Sequence, residues 1–82
     1  MKVLKFSASW CLPCRVLEKS LNRLGITDYE SIDIDTDEGS ELVNKYRVRS
    51  VPTLVKIDEE GITLDFQSGS KSDKEIKEFF EV

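Results

Sequence analysis

Histidine is absent from this 82-residue chain, and cysteine and proline occur only twice each, glycine four times and tryptophan once. Without an imidazole there is no Ser-His or Cys-His nucleophile pair. There is also no zinc finger within one chain, because a structural zinc ion takes four Cys or His ligands and this chain offers two. No run of about 18 apolar residues occurs, and the opening MKVLKFSASWC lacks an apolar core of signal-peptide length, so the sequence reads as a soluble, cytoplasmic protein. Basic charge is not in surplus. Twelve Lys and Arg against 16 Asp and Glu leave a net charge of −4, no field to draw phosphate backbones or anionic lipid, and so neither nucleic acid nor membrane is an expected partner.

What remains is an ordinary globular composition, 39% hydrophobic and 34% charged, with no repeat or low-complexity segment. It suits one domain spanning residues 1–82, monomeric by default. Folding at this length hides roughly 60–70% of the unfolded chain's surface, enough for a core with little to spare.

KVLKF at 2–6 is short and β-compatible and runs into a serine-rich turn, which predicts a strand ending just before Trp10. Val16, Leu17, Leu21 and Leu24 recur at helical spacing, with Gly25 placed to end the helix. YESIDID at 29–35 alternates as a strand, and Leu42, Val43 and Tyr46 mark a short helix over 39–46. TLVKI at 53–57 and ITLDF at 62–66 flank DEEG, whose Gly61 can take the positive φ of a hairpin loop. Ser72 and Glu75 have capping-box spacing ahead of Ile76, Phe79 and Phe80. The order is β-α-β-α-β-β-α. A helix between the first two strands implies a right-handed parallel crossover, and the hairpin adds two strands, giving an α/β fold with a four-stranded mixed sheet and helices on both faces.

Cys11 and Cys14 then stand just beyond a strand, at the start of a helix. A bridge between residues so close closes a tiny loop and constrains the unfolded chain little, so stability is a poor reason for it. Unpaired N–H groups and the helix dipole favour a thiolate there, which makes Cys11 the natural nucleophile and Cys14, one turn on, the resolving thiol. Pro13 loses no intrahelical bond in the first turn and stiffens the bridge, while Leu12 offers an apolar contact beside the sulfurs. A zinc or iron–sulfur site shared between two chains and an inert structural pair are the rival readings.

FSASWCLPC, then SVPTLV at 50–55, then QSGSKSDKEIKEFF at 67–80 resemble a small thioredoxin through nearly the whole chain. The family's extra N-terminal strand and helix have no counterpart ahead of KVLKF, which leaves a glutaredoxin-sized, minimal thioredoxin-like fold. The resemblance implies that Trp10, Cys11, Leu12, Pro13 and Cys14 form the active-site segment, that Pro52 is a cis-proline facing the sulfurs, and that Gly69 belongs to the loop completing the substrate groove. A cis Val51–Pro52 bond would turn the Val51 backbone outward to pair with an extended substrate. Leu12 replaces the usual glycine. Lys5 falls where members bury an acid that helps move the proton of the resolving thiol; pointing inward, a lysine would favour thiolate if charged or accept a proton if neutral, and the plainer expectation is that its ammonium snorkels to solvent.

The implied activity is reduction of protein disulfides through a Cys11/Cys14 dithiol–disulfide cycle, with no bound cofactor or metal and with a thioredoxin reductase as electron donor. Glutathione-dependent, glutaredoxin-like reduction is the nearest alternative, although no Gly-Gly-x-Asp segment is present to hold glutathione. A non-catalytic docking module is the alternative from another class. Trp10 read alone could be a core aromatic and Pro52 a turn proline. DIDTDEGSE at 33–41 resembles a calcium loop, but its glycine comes one position late and Asn44 stands where a bidentate Glu is needed, so it reads as strand and helix start. Tyr29, Tyr46 and Phe66 are expected in the core.

Overall fold

A computed structural model describes residues 1–82. Its elements run β1 (Lys2–Ser7), α1 (Leu12–Arg23), β2 (Glu30–Asp33), α2 (Asp37–Tyr46), β3 (Thr53–Ile57), β4 (Thr63–Ser68) and α3 (Asp73–Phe80). The order read from the sequence holds. The sheet is arranged β2-β1-β3-β4, with β1 and β2 parallel and the other two pairings antiparallel. No helix is long and apolar enough to cross a membrane.

β1 and β3 are the inner strands, and each buries both of its faces. Val3 and Leu54 turn toward Leu17 and Leu21 of α1 and Ile76 and Phe79 of α3. Leu4, Phe6, Val55 and Ile57 turn the other way, to Ile32, Val48 and the partly buried Leu42, Val43 and Tyr46 of α2. Burial on two sides removes the apolar/polar alternation of a half-exposed strand, which is why KVLKF and TLVKI show none. Besides Thr53, whose hydroxyl donates to the Ser50 carbonyl, the exceptions are two lysines on the α1/α3 side, Lys5 at 3% and Lys56 at 8% exposure. Each is answered by an acid from a helix end or face, Glu18 and Glu81 respectively.

Several boundaries move. β4 starts at Thr63 and runs to Ser68, because a bulge between Lys56 and Ile57 shifts the hairpin register. As the edge strand it leaves Leu64 and Phe66 exposed, as is Ile62 just ahead of it, which corrects the expectation of a core Phe66. Val16 is also exposed, on the outer side of α1. The α1 helix ends as its glycine suggested, with Gly25 at φ +72 just past the cap residue Leu24.

α3 begins with a complete capping box. The Glu75 N–H donates to Ser72 Oγ at 3.2 Å and the Ser72 N–H donates to Glu75 Oε1 at 3.0 Å. The Ser72 N–H, and after it the Ser72 hydroxyl, hold the Glu75 carboxyl below its ordinary 4.5. Its folded pKa lies below the unfolded value, so the contribution is present above about pH 4.5 and is lost as pH falls through the folded value. Ser72→Ala, which removes the hydroxyl that caps the Glu75 N–H, is expected to cost about 1 kcal/mol, measured by urea unfolding.

Candidate active site

The serine-rich segment after β1 turns the chain so that Cys11 becomes the N-cap of α1, in extended conformation, with Pro13 in the first helical turn. Cys11 and Cys14 are disulfide-bonded, their Cα atoms 5.3 Å apart. The Cys14 N–H points at Cys11 Sγ from 3.1 Å. That donor, together with the positive end of the helix, stabilises negative charge on Cys11 when the bond is reduced. Both cysteines are nearly buried, at 4% and 3% exposure, and pack with Ala8, Ile34 and Val51.

Around them the surface is apolar and open. Trp10 is 66% and Leu12 70% exposed, flanking the pair on the chain side. Facing them, the Val51–Pro52 bond is cis and the Val51 carbonyl oxygen lies 3.7 Å from Cys11 Sγ. The Val51 peptide, outside β3, makes no backbone hydrogen bond within the chain. Gly69, at φ +84, donates its N–H to the Pro52 carbonyl at 2.9 Å and so ties the loop after β4 to the proline. A groove of about 220 Å³ runs beside the sulfurs, lined by Trp10, Ile34, Val43, Val48 and Val51, with Arg49 and Ser50 at its polar end. The structure thus gathers Trp10, Cys11, Leu12, Pro13, Cys14, Val51, Pro52 and Gly69 at one end of the sheet. No group of three or more Cys, Asp or Glu is arranged to hold a metal ion.

Three neighbours were not singled out in the sequence. Asp35 accepts the Trp10 indole N–H at 3.0 Å and fixes the ring beside the pair. Arg15 donates to the Ser9 carbonyl at 3.0 Å and braces the turn before Cys11. Glu18 lies 3.6 Å from the Lys5 ammonium. Lys5 therefore does not snorkel. Its ammonium stays under the sheet, 5.1 Å from the centre of the Tyr29 ring, because an acid on α1 and an aromatic face replace the water it gives up. Burial, and after it the charge of Glu18, hold the Tyr29 phenol above its ordinary 10.0. The sign for Glu18 was its spacing: four residues beyond Cys14 on one helix, it shares that residue's face.

The family model for thioredoxin matches residues 1–82, the entire chain. The chain belongs to the thioredoxin family. Among curated thioredoxins, one from Mycoplasmoides gallisepticum is 30% identical over 76 residues, covering 90% of this chain and 67% of that protein. Thioredoxin-1 of Drosophila yakuba is 46% identical over 56 residues, 65% of this chain and 52% of its own length. The chain therefore spans about half to two thirds of these relatives. Among solved structures, the germline-specific thioredoxin Deadhead of Drosophila melanogaster superposes with a TM-score of 0.78 at 30% identity, over 96% of this chain and 76% of the other. The four-stranded mixed sheet with three helices is the thioredoxin fold.

Proposed function

We propose that this thioredoxin-family chain is a thiol–disulfide oxidoreductase that reduces protein disulfides, with Cys11 as nucleophile and Cys14 as resolving thiol. The observation that carries the reading is the N-cap position of Cys11, whose sulfur receives the Cys14 N–H at 3.1 Å beneath an exposed apolar rim. Cys11 thiolate attacks one sulfur of the substrate disulfide, forming a mixed disulfide and expelling the other sulfur as thiolate. Cys14 thiolate then attacks Cys11 Sγ, the second substrate thiolate leaves, and the chain is left with its internal disulfide. Two electrons from a donor restore the dithiol.

Trp10, Leu12, Pro13, Val51, Pro52 and Gly69 form the surface against which the substrate lies. The unpaired Val51 peptide suits main-chain pairing with an extended segment, a mode tolerant of sequence. One domain, residues 1–82, suffices for this chemistry, and the cysteine pair itself carries the electrons without a cofactor. A flavoprotein thioredoxin reductase is the donor we assign. NADPH consumption with oxidised protein, run once with a thioredoxin reductase panel and once with glutathione and its reductase, tests the assignment. Turnover with the first alone is expected. Turnover only with glutathione would place the chain in the glutaredoxin role, and silence in both with intact thiols would favour a docking module.

A further inference from the structure

Cys14 must lose a proton before it can attack, yet it is 97% enclosed; its relative exposure is 3%. One route out is visible. A half-open cavity of about 280 Å³, room for several waters, borders Cys14 and is lined also by Glu18, Asp33, Arg15, Ser7 and Ser31. Cys14 and Glu18 stand at i and i+4 on α1, so their side chains border the cavity from the same helix face.

The charged groups that line it are Arg15 and Glu18 from α1 and Asp33 from β2; behind Glu18 stands the Lys5 ammonium of β1, and against that ammonium the Tyr29 ring. They are not equivalent. Arg15 is engaged by the Ser9 carbonyl, and Asp33 Oδ1 accepts the Asp35 N–H at 2.9 Å as part of the turn into α2. Glu18 is held differently. At 3.6 Å the Lys5 ammonium attracts its carboxylate electrostatically over a distance longer than a hydrogen bond, so its lone pairs stay open to a cavity water. Glu18 is also 57% exposed, which lets an acquired proton pass on to solvent.

We propose that Glu18, stationed at the mouth of this cavity by the buried Lys5 ammonium, takes the proton from Cys14 through cavity water when Cys14 resolves the mixed disulfide. The inference rests on the disulfide-exchange reading above. Cys14 thiol and Glu18 carboxylate become Cys14 thiolate and Glu18 carboxylic acid. The thiolate displaces the substrate thiolate from Cys11 Sγ, and Glu18 releases its proton to bulk water. Lys5 is the positioning residue. Its own charge favours thiolate whether or not Glu18 is present, so removing Glu18 has opposite effects under the two possible roles. A proton acceptor lost slows the step; a screening anion lost speeds it.

Reduced protein mixed with excess 5,5′-dithiobis(2-nitrobenzoic acid) separates the stages, because Cys11 attack releases one coloured thiolate and Cys14 attack releases the second. No first release from wild type would overturn the exchange reading itself. In wild type the second release is expected to hold a plateau through neutral pH. In Glu18→Gln it should be at least about tenfold slower at pH 7, a modest share of what general bases supply, and should fall roughly tenfold per pH unit below it, with the first release unaltered. Asp33→Asn is expected to keep the plateau. If E18Q does not fold, Glu18→Asp carries the same decision, slowing the second release while retaining the plateau. A second release in E18Q or E18D that equals or exceeds wild type across pH overturns the proposal, as does transfer of the effect to D33N.

Discussion

On the proposed function, Cys11→Ser is expected to abolish disulfide reduction, by about 10³-fold or more, while leaving the fold intact, because it removes the proposed attacking sulfur at a position where serine is structurally welcome. Cys11 is the N-cap of α1 and its side chain accepts the Cys14 N–H. Serine is among the strongest N-cap residues, so a hydroxyl there takes over the bond that the sulfur makes. Loss of activity without loss of stability is then a statement about chemistry alone. Cys14→Ser is expected to behave differently. The nucleophile survives, the first attack proceeds, and the reaction halts at a covalent 1:1 adduct with the substrate, visible by intact mass and released by added thiol. Equal activity of C11S and wild type in an insulin-reduction assay would remove Cys11 from the reaction, and absence of any adduct with C14S would remove Cys14 from the resolving role.

Gly39→Ala is expected to be the most damaging single-methyl substitution in the chain, at least about 3 kcal/mol, or a Tm lowered by roughly 10–20 °C. Gly39 sits in the first turn of α2, pressed on the end of β2. A Cβ there would overlap the Asp33 carbonyl oxygen and stand 2.7 Å from the Asp33 carbonyl carbon and 2.9 Å from Thr36 Oγ1. The obstacle is backbone, and Thr36 Oγ1 is also the cap that accepts the Gly39 N–H, so neither neighbour can withdraw cheaply. The damage reaches the site through Asp35, which lies in the same turn and holds the Trp10 indole. Gly25→Ala is the contrast. Nothing lies within 4 Å of a Cβ there, and the cost is only that of a left-handed φ of +72, about 1–2 kcal/mol. Thermal unfolding of the two variants side by side distinguishes close packing from backbone strain, and equal losses would refute the packing argument.

Most of the architecture was legible because its signals are local. The capping box at Ser72, the turn glycine Gly61 and the spacing of Leu17 and Leu21 each act within a few residues. The cysteine pair was legible for the same reason, since strand, turn and helix start adjoin in sequence. What escaped depends on distant partners. The fate of Lys5 is decided by Glu18 and Tyr29, which only the packing of α1 on the sheet brings near. Phe66 looked like core because an aromatic in a strand usually finds cover, but β4 is an edge that α2 does not cover. Asp35 looked like a polar strand position, and its role appears only when the turn after β2 meets the turn after β1.

The turn between β3 and β4 has a practical consequence. β3 leaves Pro52 and runs away from the sulfurs, so the Asp58–Gly61 turn lies at the opposite end of the sheet, about 17 Å along the strand. It is closed on itself, with Asp58 Oδ1 accepting the N–H groups of Glu60 and Ile62 at 2.9 Å each, while Glu59 and Glu60 point their side chains into water. A tether joined to Glu59 or Glu60 would mount the protein on a bead or an electrode with its redox end facing outward. The fold thus comes with a handle at the far end of the sheet from its cysteine pair.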